Sequence, residues 1–172
     1  LARSRGLGDV YKRQLVDCDL RRPTVHQLYN MELANGLSDV LGHQESPRNV
    51  TKQSSFANLG VITAGVPDFP PAELFSVSHL KDMLDSLREQ NHVVVLDSPP
   101  VIPVSDTLIL SNFVDGILFV VEAGKSEKKV LQRARAMLQE NASKVMGVVI
   151  NNARNELPYY YNHKYYNYGY YR

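Results

Sequence analysis

Five short apolar runs in this sequence carry no polar alternation, and that pattern leaves few folds open. Leu15-Val16, stopped by Asp17, is the first. Residues 59–63, closed by Ala64-Gly65, are the second, and the β-branched run 92–97 is the third. Residues 116–121 and 145–150 complete the set. A strand with one wet face alternates polar with apolar residues; runs that do not alternate read as strands covered on both faces, the pattern of a parallel sheet. Amphipathic segments lie between the runs. Leu74, Val77, Leu80, Leu84 and Leu87 recur at spacings of three and four, which predicts a helix over 73–90 behind Pro70-Pro71. Val130, Leu131, Ala134, Met137 and Leu138 predict another over 126–140, with Ser126 as N-cap and Glu127 favourable to the helix dipole. Residues 105–112 and 36–41 predict shorter helices, with Asp106 as a capping residue or a contact of a phosphate site. Strand–helix–strand alternation gives an α/β fold, a mostly parallel sheet with helices on both faces.

A length of 172 residues is about one domain's worth. Lysine and arginine total 19 against 18 acids, so bulk charge argues neither for nor against nucleic acid. The single cysteine, Cys18, excludes an internal disulfide framework and fits a reducing compartment. No stretch approaches the ~20 apolar residues of a membrane span. Three regions differ in character. Residues 1–14 are basic and aperiodic and read as a foreign or truncated leader. Residues 15–156 hold the strand and helix pattern, with 43–58 expected to be a polar loop. Residues 157–172 form a tail holding eight of the ten tyrosines: Tyr159, Tyr160, Tyr161, Tyr165, Tyr166, Tyr168, Tyr170 and Tyr171. An aromatic stripe in a core needs aliphatic partners; here the neighbours are Asn, His, Lys and Gly, so a flexible tail is expected.

Two of the predicted strands end in carboxylates. The first runs into Asp17-Cys18-Asp19, the third into Asp97-Ser98-Pro99-Pro100. In open α/β sheets, ligands bind outside the carboxyl ends of strands. Acids placed there can hold Mg²⁺ directly or through water, and an apolar run ending in Asp sets that carboxylate beside a nucleotide's phosphates. The plain alternative is a capped strand at Asp97 and a solvated turn at Asp17 and Asp19. Arg21 and Arg22 suit bidentate contact with phosphate, or a salt-bridged surface pair. Cys18, flanked by acids, reads as a buried small side chain rather than a reactive thiol.

Leu15-Val16-Asp17-Cys18-Asp19-Leu20-Arg21-Arg22-Pro23 resembles the Walker A′ motif of bacterial tyrosine kinases, and Leu96-Asp97-Ser98-Pro99-Pro100 resembles their Walker B. The tyrosine-rich end is similar to their autophosphorylation cluster. The resemblance extends to residues 36–41, 62–65, 71–75, 114–116 and 147–151. It implies a P-loop NTPase-like fold of the deviant class that also contains partition and division-site ATPases. It implies an ATP-dependent protein-tyrosine autokinase, using ATP and Mg²⁺, that regulates exopolysaccharide or capsule polymerisation and export. Position by position, Asp17 would orient or deprotonate the incoming tyrosine. Asp19 and Asp97 would hold Mg²⁺, mainly through water, and Asn151 and Arg154 would lie near the adenine. The eight tail tyrosines would be the phosphorylation sites. Implied partners are the tail of a neighbouring subunit, a membrane polysaccharide co-polymerase or activator, and a cognate tyrosine phosphatase, with no nucleic acid. The implied location is the cytoplasmic face of the bacterial inner membrane.

One departure matters. The family's G-x-x-x-x-G-K-[ST] loop has no match in the sequence, and Gly6-Leu7-Gly8 is followed by neither Lys-Ser/Thr nor a helical pattern. A strand, loop and helix need about 30 residues, and only 14 precede Leu15. As written the chain is expected to bind ATP poorly, to transfer phosphate at a negligible rate, and to bare apolar surface where a helix should pack. Two rivals remain open: a partition-type Walker ATPase that uses water as acceptor, which gives no reason for the tyrosine tail, and a catalytically dead interaction module.

Overall fold

The structure, a computed structural model, describes residues 12–102, 104–139 and 144–153. Arg154, the tail tyrosines and residues 1–11 of the expected leader lie outside those residues. The chain divides into two compact units, Leu1–Phe113 and Val114–Arg172.

The first unit is built on a four-stranded sheet. β1 (Arg13–Asp17) is followed by α1 (Val25–Leu28), α2 (Leu37–His43), α3 (Pro47–Val50), β2 (Lys52–Gln53) and β3 (Leu59–Ile62). Then come α4 (Pro71–Leu74), α5 (Val77–Gln90), β4 (Val93–Asp97) and α6 (Asp106–Ser111). Strand order is β2-β3-β1-β4. β1 is parallel to both β3 and β4, and β2 lies antiparallel on the edge. In parallel strands, residues in register share a face. Val16, Ile62, Val94 and Leu96 therefore point to one side, where they pack with Leu37, Val40 and Leu41 of α2 and Leu80, Met83, Leu84 and Leu87 of α5. On the other side of β4, Val93 and Val95 are about half exposed, the bare apolar surface expected from the sequence.

The second unit holds β5 (Ile117–Glu122), α7 (Lys128–Met137) and β6 (Val145–Asn151). β5 and β6 pair in parallel, with a register shift between Ile117 and Leu118. Leu118, Val120, Met146, Val148 and Ile150 are exposed apolar side chains of this pair. Full cover on both strand faces, expected from the unbroken apolar runs, is thus not met at β4, β5 or β6 among the described residues.

Several local expectations are corrected. The polar stretch 43–58 contains α3 and β2, because Pro47 opens a turn whose Thr51 hydroxyl donates to Pro47 O, and the short edge strand needs no apolar run. The helix predicted over 73–90 is two. Ser76 breaks it, its hydroxyl accepting the His79 N–H as a true N-cap, while the spacing of Leu74 and Val77 runs across the break. Ser126 is not the cap of α7; Glu127 is, and the Ser126 hydroxyl accepts the Glu122 N–H instead. β1 also takes in Arg13 and Gln14, inside the segment set apart as a leader.

Candidate nucleotide and cation site

The register of β1 with β4 sets Asp17 directly beside Asp97, where both strands end. The pairing continues one residue further, the Cys18 N–H donating to Asp97 O at 2.7 Å. Two apolar strands of equal reach therefore deliver their terminal carboxylates to the same rim of the sheet. The two acids then part company. Asp17 is fully buried; its Oδ1 accepts the Asp19 N–H and its Oδ2 the Val25 N–H, each at 3.1 Å. It ties down the loop leading to α1, so the solvated-turn alternative does not hold for it. Asp97 is exposed and accepts no hydrogen bond at its carboxylate among the described residues. Asp19 is half-buried, and its Oδ1 accepts the N–H groups of Arg21 and Arg22 at 3.1 and 2.9 Å.

The electrostatics follow from that crowding. Burial pushes the Asp17 carboxyl above the ordinary carboxylate range; N–H donation from Val25 and Asp19 pulls the other way, and the Asp19 charge adds to the rise. Asp97 is raised as well, first by desolvation and then by the charges of Asp17 and Asp19. The Cys18 thiol, wholly buried, is pushed far up by burial and then by Asp17 and Asp97. Ellman's reagent is therefore expected to label Cys18 in the folded chain at least about 100-fold more slowly than in urea. Comparable rates in the two conditions would mean that the β1–β4 rim opens.

The donor set suits a hard cation that keeps its waters. Among the described residues no three His, Cys, Asp or Glu side chains gather into a ready-made cage. Asp97 offers an open carboxylate, and the mutual repulsion of three nearby acids is what a divalent ion relieves. Mg²⁺ is commonly held by one or two carboxylates together with water and substrate phosphates. Both oxygens of Asp17 are already occupied, which leaves Asp97 and the outer part of Asp19 as the donors.

Other predicted site residues fall elsewhere. Arg21 is exposed and salt-bridged rather than an open phosphate fork, and its partner is a buried carboxylate. Its Nε and Nη2 donate to Asp106 Oδ2 and Oδ1 at 3.0 and 3.5 Å, and Asp106 is 1% exposed. Asp106, predicted as a helix cap, is thus the buried partner of an ion pair. Asn151 ends β6 in the second unit, exposed, its Oδ1 accepting the Asn152 N–H at 2.9 Å. Nothing in the sequence marks Lys52. Its Nζ donates to Ala34 O, Asn35 O and Thr63 Oγ1, at 2.8, 2.9 and 2.6 Å, and holds the 33–36 loop against the end of β3. Burial lowers its pKa, offset in part by Glu32 and Asp39. A lone lysine in a polar stretch gives no sequence signal of that kind.

A mostly parallel sheet with acids at the carboxyl ends of neighbouring strands defines a P-loop NTPase-like α/β protein. No protein-family model matches the sequence. The tyrosine-protein kinase YwqD of Bacillus subtilis is 35% identical over 137 residues, which cover 80% of this chain and 58% of that protein. The crystal structure of the VpsO kinase domain superposes with a TM-score of 0.77 at 29% identity, over 84% of this chain and 72% of that one. The cell division ATPase MinD of Pyrococcus furiosus, at 18% identity and a TM-score of 0.68 over 87% of this chain and 64% of that one, shares the fold. Within the class, then, the chain is similar to bacterial tyrosine-protein kinases. It spans a little over half the length of the B. subtilis relative.

Proposed function

We propose that this chain is the acid-bearing part of an ATP-dependent protein-tyrosine autokinase that regulates exopolysaccharide or capsule polymerisation and export. One observation carries this function: the register that sets Asp17 beside Asp97 at a shared rim. The likeness to proteins named tyrosine kinases supports it. Phosphoryl transfer asks the protein mainly for positioning and charge neutralisation. ATP with Mg²⁺ supplies the phosphoryl group and the neutralising charge. Asp97 and Asp19 would hold the cation, and Asn151 and Arg154 would serve the base. Asp17, raised by burial, takes the tyrosine proton once its bond to the Val25 N–H opens, since a raised carboxyl is the better base. Tail tyrosines 159–161, 165, 166, 168, 170 and 171 are the acceptors, offered to a neighbouring copy. Each phosphate would add roughly −1.5 to −2 charges and drive tails apart. A membrane activator and a cognate tyrosine phosphatase complete the proposed cycle, placed at the cytoplasmic membrane face. No helix among the described residues is long and apolar enough to cross a membrane.

The test places a strand–G-x-x-x-x-G-K-[ST]–helix segment ahead of residues 12–172, supplying the phosphate-binding loop that the family motif calls for. With Mg²⁺ and ATP this chimera is expected to gain phosphotyrosine, and a version with all eight tail tyrosines changed to phenylalanine is not. ATP hydrolysis without phosphotyrosine would favour the water-using ATPase instead; neither product would leave an interaction module.

A further inference from the structure

Both acid-bearing loops are held by the first turn of one short helix. Arg21 lies two residues beyond Asp19, and its guanidinium reaches Asp106 at the start of α6, 85 residues away. Pro99 lies two residues beyond Asp97, and its carbonyl accepts the hydroxyl of Thr107, the next residue of α6, at 2.6 Å. The backbone N–H of Arg21 is bonded to the Asp19 carboxylate itself. A path of direct bonds therefore runs from Asp19 through Arg21, Asp106 and Thr107 to the loop that follows Asp97.

From this we infer that Arg21, Asp106 and Thr107 form a clamp that fixes the separation of Asp19 and Asp97, making Arg21 a positioning residue for the cation site. The inference rests on the reading of Asp19 and Asp97 as the cation's acids. The chemistry of the pair fits that job. Arg21 is partly open to solvent while Asp106 is buried, so breaking the pair would leave the buried carboxylate without its partner. A guanidinium is a planar fork with fixed donor directions, which an ammonium cannot reproduce. Asp106, at 1% exposure, has no solvent to turn to. The Arg21–Asp106 contact and the Thr107 bond each tie one of the two loops to the start of α6.

Mn²⁺, used in place of Mg²⁺, makes the clamp measurable on the 172-residue chain by the electron paramagnetic resonance signal of the free ion. Arg21→Lys, Asp106→Asn and Thr107→Val are compared with Asp97→Asn and the unaltered chain, each below its own melting temperature. Arg21→Lys and Asp106→Asn are expected to weaken Mn²⁺ binding about tenfold each, and the double variant no further than either, because both act through one contact. Thr107→Val is expected to weaken it about threefold. Asp97→Asn is expected to abolish it. A purely structural role would lower the melting temperature and leave the affinity of the folded protein alone. Affinities within twofold of the unaltered chain for Arg21→Lys and Asp106→Asn, with binding lost in Asp97→Asn, overturn the clamp and spare the acids. Retained binding in Asp97→Asn, or no binding by the unaltered chain, overturns the reading of the acids and the clamp with it.

Discussion

Changing Gly36 to alanine is expected to destabilise the first unit by about 4 kcal/mol, at the upper end of single-residue effects. The glycine is not needed for its backbone angles; φ there is −140°, open to any residue. The reason is contact. A Cβ at position 36 would overlap the Thr63 carbonyl oxygen and the Gly65 nitrogen, both backbone atoms that cannot swing aside. Those atoms are held in turn. The N–H groups of Leu37 and Ser38, the free donors of the first turn of α2, bond to Thr63 O and Ala64 O at 2.7 and 2.9 Å. Lys52 and Thr63 fasten the 33–36 loop from the other side, Thr63 Oγ1 donating to Leu33 O at 3.0 Å. Moving the 63–65 segment would strip the start of α2, and this segment leaves β3 next to the strand that ends at Asp17. Urea unfolding followed by circular dichroism measures the loss, with Gly147→Ala as the control. Nothing lies within 4 Å of a Cβ placed there, so its change should stay within about 0.5 kcal/mol. Equal effects at the two positions would show that the close approach at Gly36 is not native.

That contact also marks what a sequence can and cannot disclose. Residues 36–41 and 62–65 read as two separate pieces of one resemblance; that they pack on each other is a tertiary fact with no local signature. The five apolar runs did become strands, because contiguous β-branched and aliphatic residues declare themselves over a short window. Lys52–Gln53 did not, since a two-residue edge strand pairs through its backbone and needs no apolar side chain. The break at Ser76 was hidden by a helical spacing that continues across it.

At the site the division is similar. Carboxylates at the ends of two strands were legible, and their pairing follows from strands that finish at the same level. How each carboxylate is used was not. Asp17 spends both oxygens on backbone N–H groups, Asp19 spends one on Arg21 and Arg22, and Asp97 keeps both free among the described residues. Asp106 was legible as a cap or a phosphate-site contact but not as an ion-pair partner, because Arg21 lies 85 residues upstream. Local charge patterns report on helix ends; they carry no information about which loop folds over them.

Asp97→Asn should separate the two consequences of this arrangement by giving them opposite signs. In the loop-restored chimera it is expected to lower tyrosine phosphorylation about 10²–10³-fold, the usual cost of losing one preorganised source of transition-state charge stabilisation, here the cation that Asp97 would hold. In the same protein without cation it is expected to raise stability at pH 7. The Asp97 carboxyl is pushed up by desolvation and then by Asp17 and Asp19. A carboxyl whose folded pKa exceeds its unfolded value, about 3.9, contributes its stability below that value and loses it as pH rises through the folded pKa. At neutral pH the ionised Asp97 is therefore a burden that asparagine removes. Because Asp97 is open to solvent, screening holds the gain to about 0.5 kcal/mol. Urea midpoints should coincide near pH 3, where both side chains are neutral, and diverge in favour of the variant by pH 7. Added Mg²⁺ should reverse the order by stabilising only the chain that binds it. Asp17→Asn makes a useful contrast: its NH₂ would face the N–H of either Asp19 or Val25, so the same substitution should destabilise. An Asp97→Asn chain less stable than its parent at pH 7 without cation would mean that some unrecognised positive group already balances the three acids, and no divalent ion would then be needed to hold the rim together.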